Sequence, residues 1–550
     1  MFLKKIINTS LVKIDRRFLF LMIALSLVLR ILTLKTHGFW VDEARQFWVS
    51  QGLSAFRIIQ GGPFDARWVS LFEDSSTHFL GSPIFTLMIH YWSKISCAEL
   101  WLRVLPLVFA IGVLPIMYRI ARLCSFSKTT ALFITTFCSW NAAWVYYSIE
   151  LRPYSFEIFC TALTFLLFLR LSANPNVSVL RYMWLALSMI LGIFSGYGYG
   201  FYVPFVATYA IYFLRINSGR PNANIIGKVL IILAPVFIYF SYMYYFLFIM
   251  RTSTGQELSF PRVYNLTSCY LPFLHTSIHD DLWLYGGSVV ISIFSVILYQ
   301  FFYYFRLNFD FLQYSAILKW FFSALGVALL IGIVYCMRLI FKKKNKPEGI
   351  ILVALLYVLC AYVIASSMGL FPMGPIRQNL FFSPVLFMSF FIILRHDWRV
   401  LRKPKLSLNF FAMVFLYMMV MISLLRAYES TVFGRHHEEI IPALKRIEAV
   451  YRPGDSVCVF VNKRSEPVFF YEWKYARIPW VMTLQLKDIF ADPAFKGGAN
   501  TGYDYQWYLF ASDGQLKNRI KKRLIKEGVI VDEEQVVLPR TIIFRARRRG

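Results

Sequence analysis

Long apolar runs recur through most of this chain, and they constrain its fold before any motif does. Runs of about 17–25 residues are needed to cross a bilayer as a helix. Such runs stand at 18–34, 104–121, 130–148, 154–171, 182–196, 198–214, 229–249, 317–341, 350–368, 378–394 and 409–425. In hydrocarbon every backbone polar group needs a partner within the protein, so these runs read as transmembrane helices. The chain is 58% hydrophobic, above the roughly 45–50% usual for soluble domains. The fold class that follows is a polytopic α-helical membrane protein.

Two further runs, 81–96 and 285–305, leave the count at about 11–13 helices of spanning length. Basic residues settle the choice, because short cytoplasmic loops are enriched in Lys and Arg. With the N-terminus inside and eleven spans, the basic loops 119–128, 215–228, 342–346 and 395–405 are all cytoplasmic. Making either ambiguous run a span moves basic loops outside, so both are expected to lie along the interface or re-enter. The formal charge of +28, from 58 Lys+Arg against 30 Asp+Glu, is then explained by these loops and their contact with anionic headgroups. Nucleic acid is not an expected partner. The eight cysteines form no CxxC pair, and most fall in apolar runs as small core residues. The run 18–34 has basic flanks and no small-residue cleavage site, so it is expected to be a retained first helix.

This topology leaves 35–103, a short turn at 149–153, 250–316, a turn at 372–379 and everything after about 427 on the outer side. Past that point the composition changes. Pro453-Gly454-Asp455 marks a turn, and strand-like runs follow at 456–461, 467–471, 505–511 and 541–546. Between the last two, Leu516, Ile520 and Leu524 repeat at helical spacing within 515–527. The expected division is a membrane domain over 1–426, including the first outer loop 35–103, and a small extracytoplasmic α/β domain over 427–550.

The residues able to carry chemistry sit where spans are expected to surface on the outer side. Asp42 and Glu43 follow Trp40, just past the first span. They are read as solvent-side acids, cheap to keep ionised yet close to the bilayer. Glu150 lies in Ser148-Ile149-Glu150-Leu151-Arg152-Pro153-Tyr154, where the third span ends, and Pro153 suits the first turn of the fourth. A general base near a second carboxylate or a metal suits attack on an activated lipid-linked group. Any metal would be a divalent cation, Mg or Mn, with Asp42 and Glu150 as the candidate ligands. Arg377, in Met373-Gly374-Pro375-Ile376-Arg377-Gln378-Asn379, opens a helix from an outer turn. An arginine there needs an anionic partner, and a lipid phosphate suits a guanidinium. Arg152 and Arg103 are weaker candidates of the same kind, and His78 and His90 could contact substrate or metal. There is no Walker A loop and no dinucleotide-binding glycine fingerprint. Gly196-Tyr197-Gly198-Tyr199-Gly200 reads as a tight connection between two helices.

In order along the chain come the Asp42-Glu43 pair, a Ser82-Pro83 helix start, Glu99-Leu100-Trp101-Leu102-Arg103 leading into a span, and Glu150-Leu151-Arg152-Pro153-Tyr154. This order resembles the polyprenyl-phosphate-sugar-dependent glycosyltransferases of the GT-C superfamily. The branch is that of the protein O-mannosyltransferases and the lipid A aminoarabinose transferase, glycosyltransferase family 39 in type. The likeness covers about the first 170 residues well, and the turn at Arg377 resembles a later family element, with Gln378 where an aromatic is usual. It implies an inverting glycosyltransferase using a polyprenyl-phosphate sugar donor. The acceptor would be a hydroxyl on a glycan, lipid or protein. Asp42 would be the base, Glu43 would orient it or help a metal, and Glu150 would be a second acid. Arg377 would hold the leaving phosphate, with Arg152, Tyr154, His78 and Arg103 about the substrate. The implied location is the inner (plasma) membrane, with site and C-terminal domain on the periplasmic side. Two other readings remain. A polyprenyl-linked glycan transporter would need repeats and midplane charges. An O-antigen ligase or polymerase would centre on a large outer loop such as 250–316, which carries Arg251, Arg262, His275 and His279.

Overall fold

A computed structural model describes residues 20–31, 39, 41–52, 82–173, 178–196, 198–218, 223–244, 346–367 and 377–400, together with four strands between 456 and 548 and a few isolated helical residues. The expectations at nearly all of 285–305, most of 317–341, 409–425, 467–471 and most of 515–527, and that for His78, lie outside the described residues. The chain divides into two compact units. One comprises 1–33, 80–85 and 104–428; the other comprises 34–79, 86–103 and 429–550.

In the larger unit, α1 covers Phe20–Ile31. It is followed by α4 (Glu99–Leu123, whose first turn belongs to the other unit), α5 (Lys128–Trp140), α6 (Ala142–Tyr147), α7 (Tyr154–Ala173), α8 (Val179–Ile193), α9 (Tyr202–Ser218), α10 (Ala223–Met243), α11 (Pro347–Ser367) and α12 (Ser383–Val400). Two short 3-10 helices, Gly198–Phe201 and Arg377–Phe382, lead into α9 and α12. Among the described residues, four helices are long and apolar enough to span a membrane: Glu99–Leu123, Tyr154–Ala173, Asn224–Tyr242 and Pro347–Ser366. The 25 residues of α4 rise about 37 Å at 1.5 Å each, against about 30 Å of hydrocarbon. Several helices also turn apolar stripes outward, such as Leu230, Leu233, Phe237 and Phe240 on α10 and Phe20, Leu21, Leu25 and Val28 on α1. In water such stripes would be costly; against lipid they are the expected surface. The chain is a multi-pass membrane protein.

The expected span 130–148 is two helices. Asn141 breaks it: its side-chain carbonyl accepts the Trp144 N–H at 3.1 Å and so caps α6. Asparagine competes with helix continuation by capping, which an apolar count does not register. Breaking a helix at depth leaves carbonyls of α5 without intrahelical donors. Arg30 of α1, fully buried, supplies one: its Nη1 donates to the Ser139 carbonyl at 2.9 Å and to Ser26 Oγ. At the other end, Ser125 takes a left-handed conformation (φ 57°) and closes α4. There Arg395 of α12 binds Glu348 of α11 at 3.0 Å and the Cys124 carbonyl at 2.9 Å.

In the second unit, α2 (Val41–Ser50) runs beside α3 (Pro83–Ser93, whose first residues belong to the larger unit). Gln46 donates to Thr86 at 2.6 Å, His90 Nδ1 meets the Ser50 carbonyl at 2.7 Å and Gln51 donates to Ser93 at 2.9 Å. Partners advance together along both helices, so the pair is parallel. Ser82 caps α3 by accepting the Phe85 N–H at 3.1 Å, and Pro83 is its first residue. At 11 residues α3 is about 16 Å long and cannot span, as expected for 81–96. Trp92 and Trp101 stack at 4.5 Å, each indole N–H donating to the other's backbone carbonyl.

The C-terminal residues form a four-stranded mixed sheet of order β1-β2-β4-β3, from β1 Ser456–Val461, β2 Gln506–Ala511, β3 Val529–Leu538 and β4 Thr541–Arg548. β1 and β2 are parallel, so the chain between them must cross over. β3 was not among the expected strands, because Asp532-Glu533-Glu534 interrupts its apolar pattern. It pairs antiparallel with β4 through irregularities at Val531/Glu533 and Val536/Leu538, with Glu533 in register with Arg545.

Candidate functional site

The sequence-predicted residues fall in two clusters, one in each unit. In the smaller unit, Asp42 and Glu43 occupy the first turn of α2, where the helix dipole favours negative charge. The expectation of two solvent-side acids is corrected for Glu43, which is fully buried; Asp42 is half-buried. Helix phase explains the difference, since successive residues point about 100° apart and Glu43 shares its face with the buried Phe47. The buried carboxylate binds Arg103 Nη2 at 2.8 Å, and Arg103 Nη1 binds Glu99 at 2.7 Å. The Arg103 guanidinium also lies over the Phe39 ring, 5.5 Å from its centroid. Arg103 thus serves Glu43 and Glu99, and the α2 turn bearing Asp42 is tied to the start of α4. His90 points Nδ1 at a backbone carbonyl, which can only accept, so that nitrogen carries the proton and links α3 to α2.

In the larger unit, Glu150, Arg152 and Tyr154 lie on the connection from α6 to α7. Connections usually run over the surface, yet every residue from Tyr147 to Ile158 is buried, Glu150 to 1% exposure and Arg152 to 7%. The turn is tightly held. The Arg152 N–H donates to the Glu150 carbonyl at 2.6 Å and Ser155 Oγ to the Tyr147 carbonyl at 3.0 Å. The Pro153 carbonyl accepts the first bond of α7, from Glu157, at 2.8 Å. The Arg152 guanidinium is 5.9 Å from the Tyr154 ring centroid, and Tyr154 meets Tyr147 edge to face.

The 3-10 helix that opens with Arg377 packs against α7 and against the Gly198–Phe201 helix. The Trp144 indole of α6 donates to Ser383 Oγ at 2.8 Å, just past it. Tyr362 of α11 hydrogen-bonds the Asn379 side chain, and Tyr202 donates to the Phe381 carbonyl at 3.4 Å. One end of this unit therefore gathers the buried acidic turn, the start of α7, the glycine-rich turn and the Arg377 helix. A buried acid, a buried guanidinium and aromatic rings at the end of apolar helices suit an anionic headgroup whose tail lies in lipid. Among the described residues no cluster of three or more His, Cys, Asp or Glu side chains is placed to hold a metal.

The sequence reading passed over Glu157. It lies one turn into α7, is buried, and accepts the Tyr199 N–H at 3.1 Å. An ionisable residue inside an apolar run was the available signal. The glycine-rich segment is the tight connection expected. A Cβ on Gly196 would overlap the Glu157 carboxylate, and one on Gly198 the Phe381 ring.

No protein-family model matches the chain, and no curated protein does. Among solved structures it is similar to the archaeal oligosaccharyltransferase AglB from Archaeoglobus fulgidus, in complex with an inhibitory peptide and a dolichol-phosphate. Identity is 12% over 90% of this chain and 69% of that one, with a TM-score of 0.41. It is also similar to ArnT from Cupriavidus metallidurans, each time over 96% of this chain and 97% of that one. Identity is 12% with a TM-score of 0.39 in the apo state, and 14% with 0.40 when bound to undecaprenyl phosphate. Likeness at this level leaves the function to be argued from the residues.

Proposed function

We propose that the chain is an inverting glycosyltransferase that moves a sugar from a polyprenyl-phosphate donor to a hydroxyl acceptor on a glycan, lipid or protein. The observation that carries this reading is the buried turn with Glu150 and Arg152, at the same end of the helical unit as the Arg377 helix. Burying an acid and a guanidinium in a connecting turn is expensive, and recognition of a lipid-borne anion is a reason to do so. Transfer from such a donor breaks the bond between the anomeric carbon and the phosphate oxygen. The phosphate leaves as an anion, and Arg377, together with Arg152, would stabilise that charge. Asp42 would take the acceptor's proton as its oxygen forms the new bond. Glu43, held by Arg103, would fix the turn that carries Asp42.

The site would face the outer side of the inner membrane, as the charge bias of the loops suggests.

The test is to reconstitute the purified chain in vesicles with a radiolabelled polyprenyl-phosphate sugar and a membrane extract as acceptor source. Radiolabel in a new product, with release of polyprenyl phosphate, supports a transferase. Intact donor moved between leaflets without product would establish the transporter reading in its place.

A further inference from the structure

We propose that Glu157 is a positioning residue that holds the Arg377 helix in place through the glycine-rich turn; this rests on reading Arg377 as the phosphate-holding residue. Glu157 is a buried carboxylate on a helix apolar enough to span a membrane, and the transfer chemistry does not use it. A carboxylate in such a place is retained against a large desolvation cost, so its contacts say what it does. It accepts the backbone N–H of Tyr199 at 3.1 Å, with the Gly198 amide also directed at it.

Both neighbouring glycines sit where no side chain fits. Gly196 lies against the Glu157 carboxylate and Gly198 against the Phe381 ring. The same ring stacks on Phe201 with centroids 5.9 Å apart and meets Tyr202 at 5.8 Å. Phe381 belongs to the six-residue 3-10 helix Arg377–Phe382. The contacts therefore run from Glu157 to the Tyr199 amide, through Gly198 and Phe201 to Phe381, and so to the short helix that Arg377 opens. Thr164 fixes the far side of the turn, its hydroxyl 2.7 Å from that of Tyr199. Without the Glu157 carboxylate the turn loses its anchor and Phe381 the wall behind it. The Arg377 helix is then free to settle elsewhere. A displacement of about 1 Å at a positioned group can cost about 100-fold.

The experiment measures binding of farnesyl phosphate to the purified full chain in detergent by calorimetry. It compares wild type, Glu157→Ala, Glu157→Gln, Arg377→Ala and the double variant Glu157→Ala/Arg377→Ala. Glu157→Ala should weaken binding by about 10–100-fold. Glu157→Gln should retain most of it, since its amide carbonyl accepts the same N–H. In the Arg377→Ala background Glu157→Ala should add nothing. Wild-type binding by Glu157→Ala, with binding lost in Arg377→Ala, overturns the positioning role and leaves Arg377 standing. Equal weakening in both backgrounds also overturns it, because Glu157 would then act by another route. Unchanged binding in Arg377→Ala removes the phosphate reading and this inference together. Should Glu157→Ala fail to fold, Gly198→Ala disturbs the same contact from the Phe381 side. It should weaken binding in the native background alone, and equal weakening in the Arg377→Ala background overturns the inference.

Discussion

Replacing Arg103 with methionine removes the guanidinium that binds both Glu43 and Glu99. Glu43 has 0% side-chain exposure, Arg103 4% and Glu99 12%. Both contacts are therefore buried, unlike surface ion pairs, which are worth about 0–1 kcal/mol. Removing one partner of a buried pair costs about 3–5 kcal/mol, because the remaining charge is stranded. Arg103→Met takes a cationic partner from two carboxylates at once and belongs at the upper end of that range. Glu43→Gln is milder, since Arg103 keeps Glu99 and the amide carbonyl still accepts; about 1–3 kcal/mol is expected. In the double variant Glu43→Gln/Arg103→Met the most buried charge is gone along with its partner. The combined loss should fall short of the sum of the single losses by about 2 kcal/mol. The assay is denaturant unfolding in mixed micelles, followed by tryptophan fluorescence. A loss below about 1 kcal/mol for Arg103→Met, or strict additivity, would refute the idea that this triad fixes the α2 turn.

Three further outcomes follow from the fold. Asn141→Ala should cost about 1 kcal/mol in the same unfolding assay by removing the cap of α6, and Asn141→Ser should recover most of it. Arg30→Met should cost about 1–3 kcal/mol by leaving buried groups without a donor, with Arg30→Lys between it and wild type. Gly192→Ala should destabilise by about 1–3 kcal/mol, because a Cβ there would overlap the Tyr199 ring; a neutral effect would mean the ring shifts freely.

Apolar run length located the helices well, because spanning is a one-dimensional requirement. The run at 154–171 became Tyr154–Ala173, and that at 350–368 became Pro347–Ser367. What the sequence hid depended on partners far along the chain. Glu43 is buried because Arg103, sixty positions later, meets it, and nothing near Asp42-Glu43 announces that. The early start of α4 at Glu99 has the same cause, since its charged first turn is neutralised internally. The break at Asn141 was legible in principle, as asparagine is a strong cap, but the apolar residues around it outweighed the signal. Glu150, Arg152 and Tyr154 were found from one short motif, although their burial in a connecting turn could not be read from it. Glu157 was missed because its role depends on a turn forty residues away and on Phe381 beyond that.

The measurement that tests the central claim most directly is sugar transfer from a radiolabelled polyprenyl-phosphate donor by the purified chain, with Asp42→Asn beside wild type. The account predicts product with wild type and a loss of at least about 100-fold in the isosteric variant, the scale of general base catalysis, with donor binding and folding unchanged. Equal transfer by both proteins would contradict the assignment of Asp42 as the base.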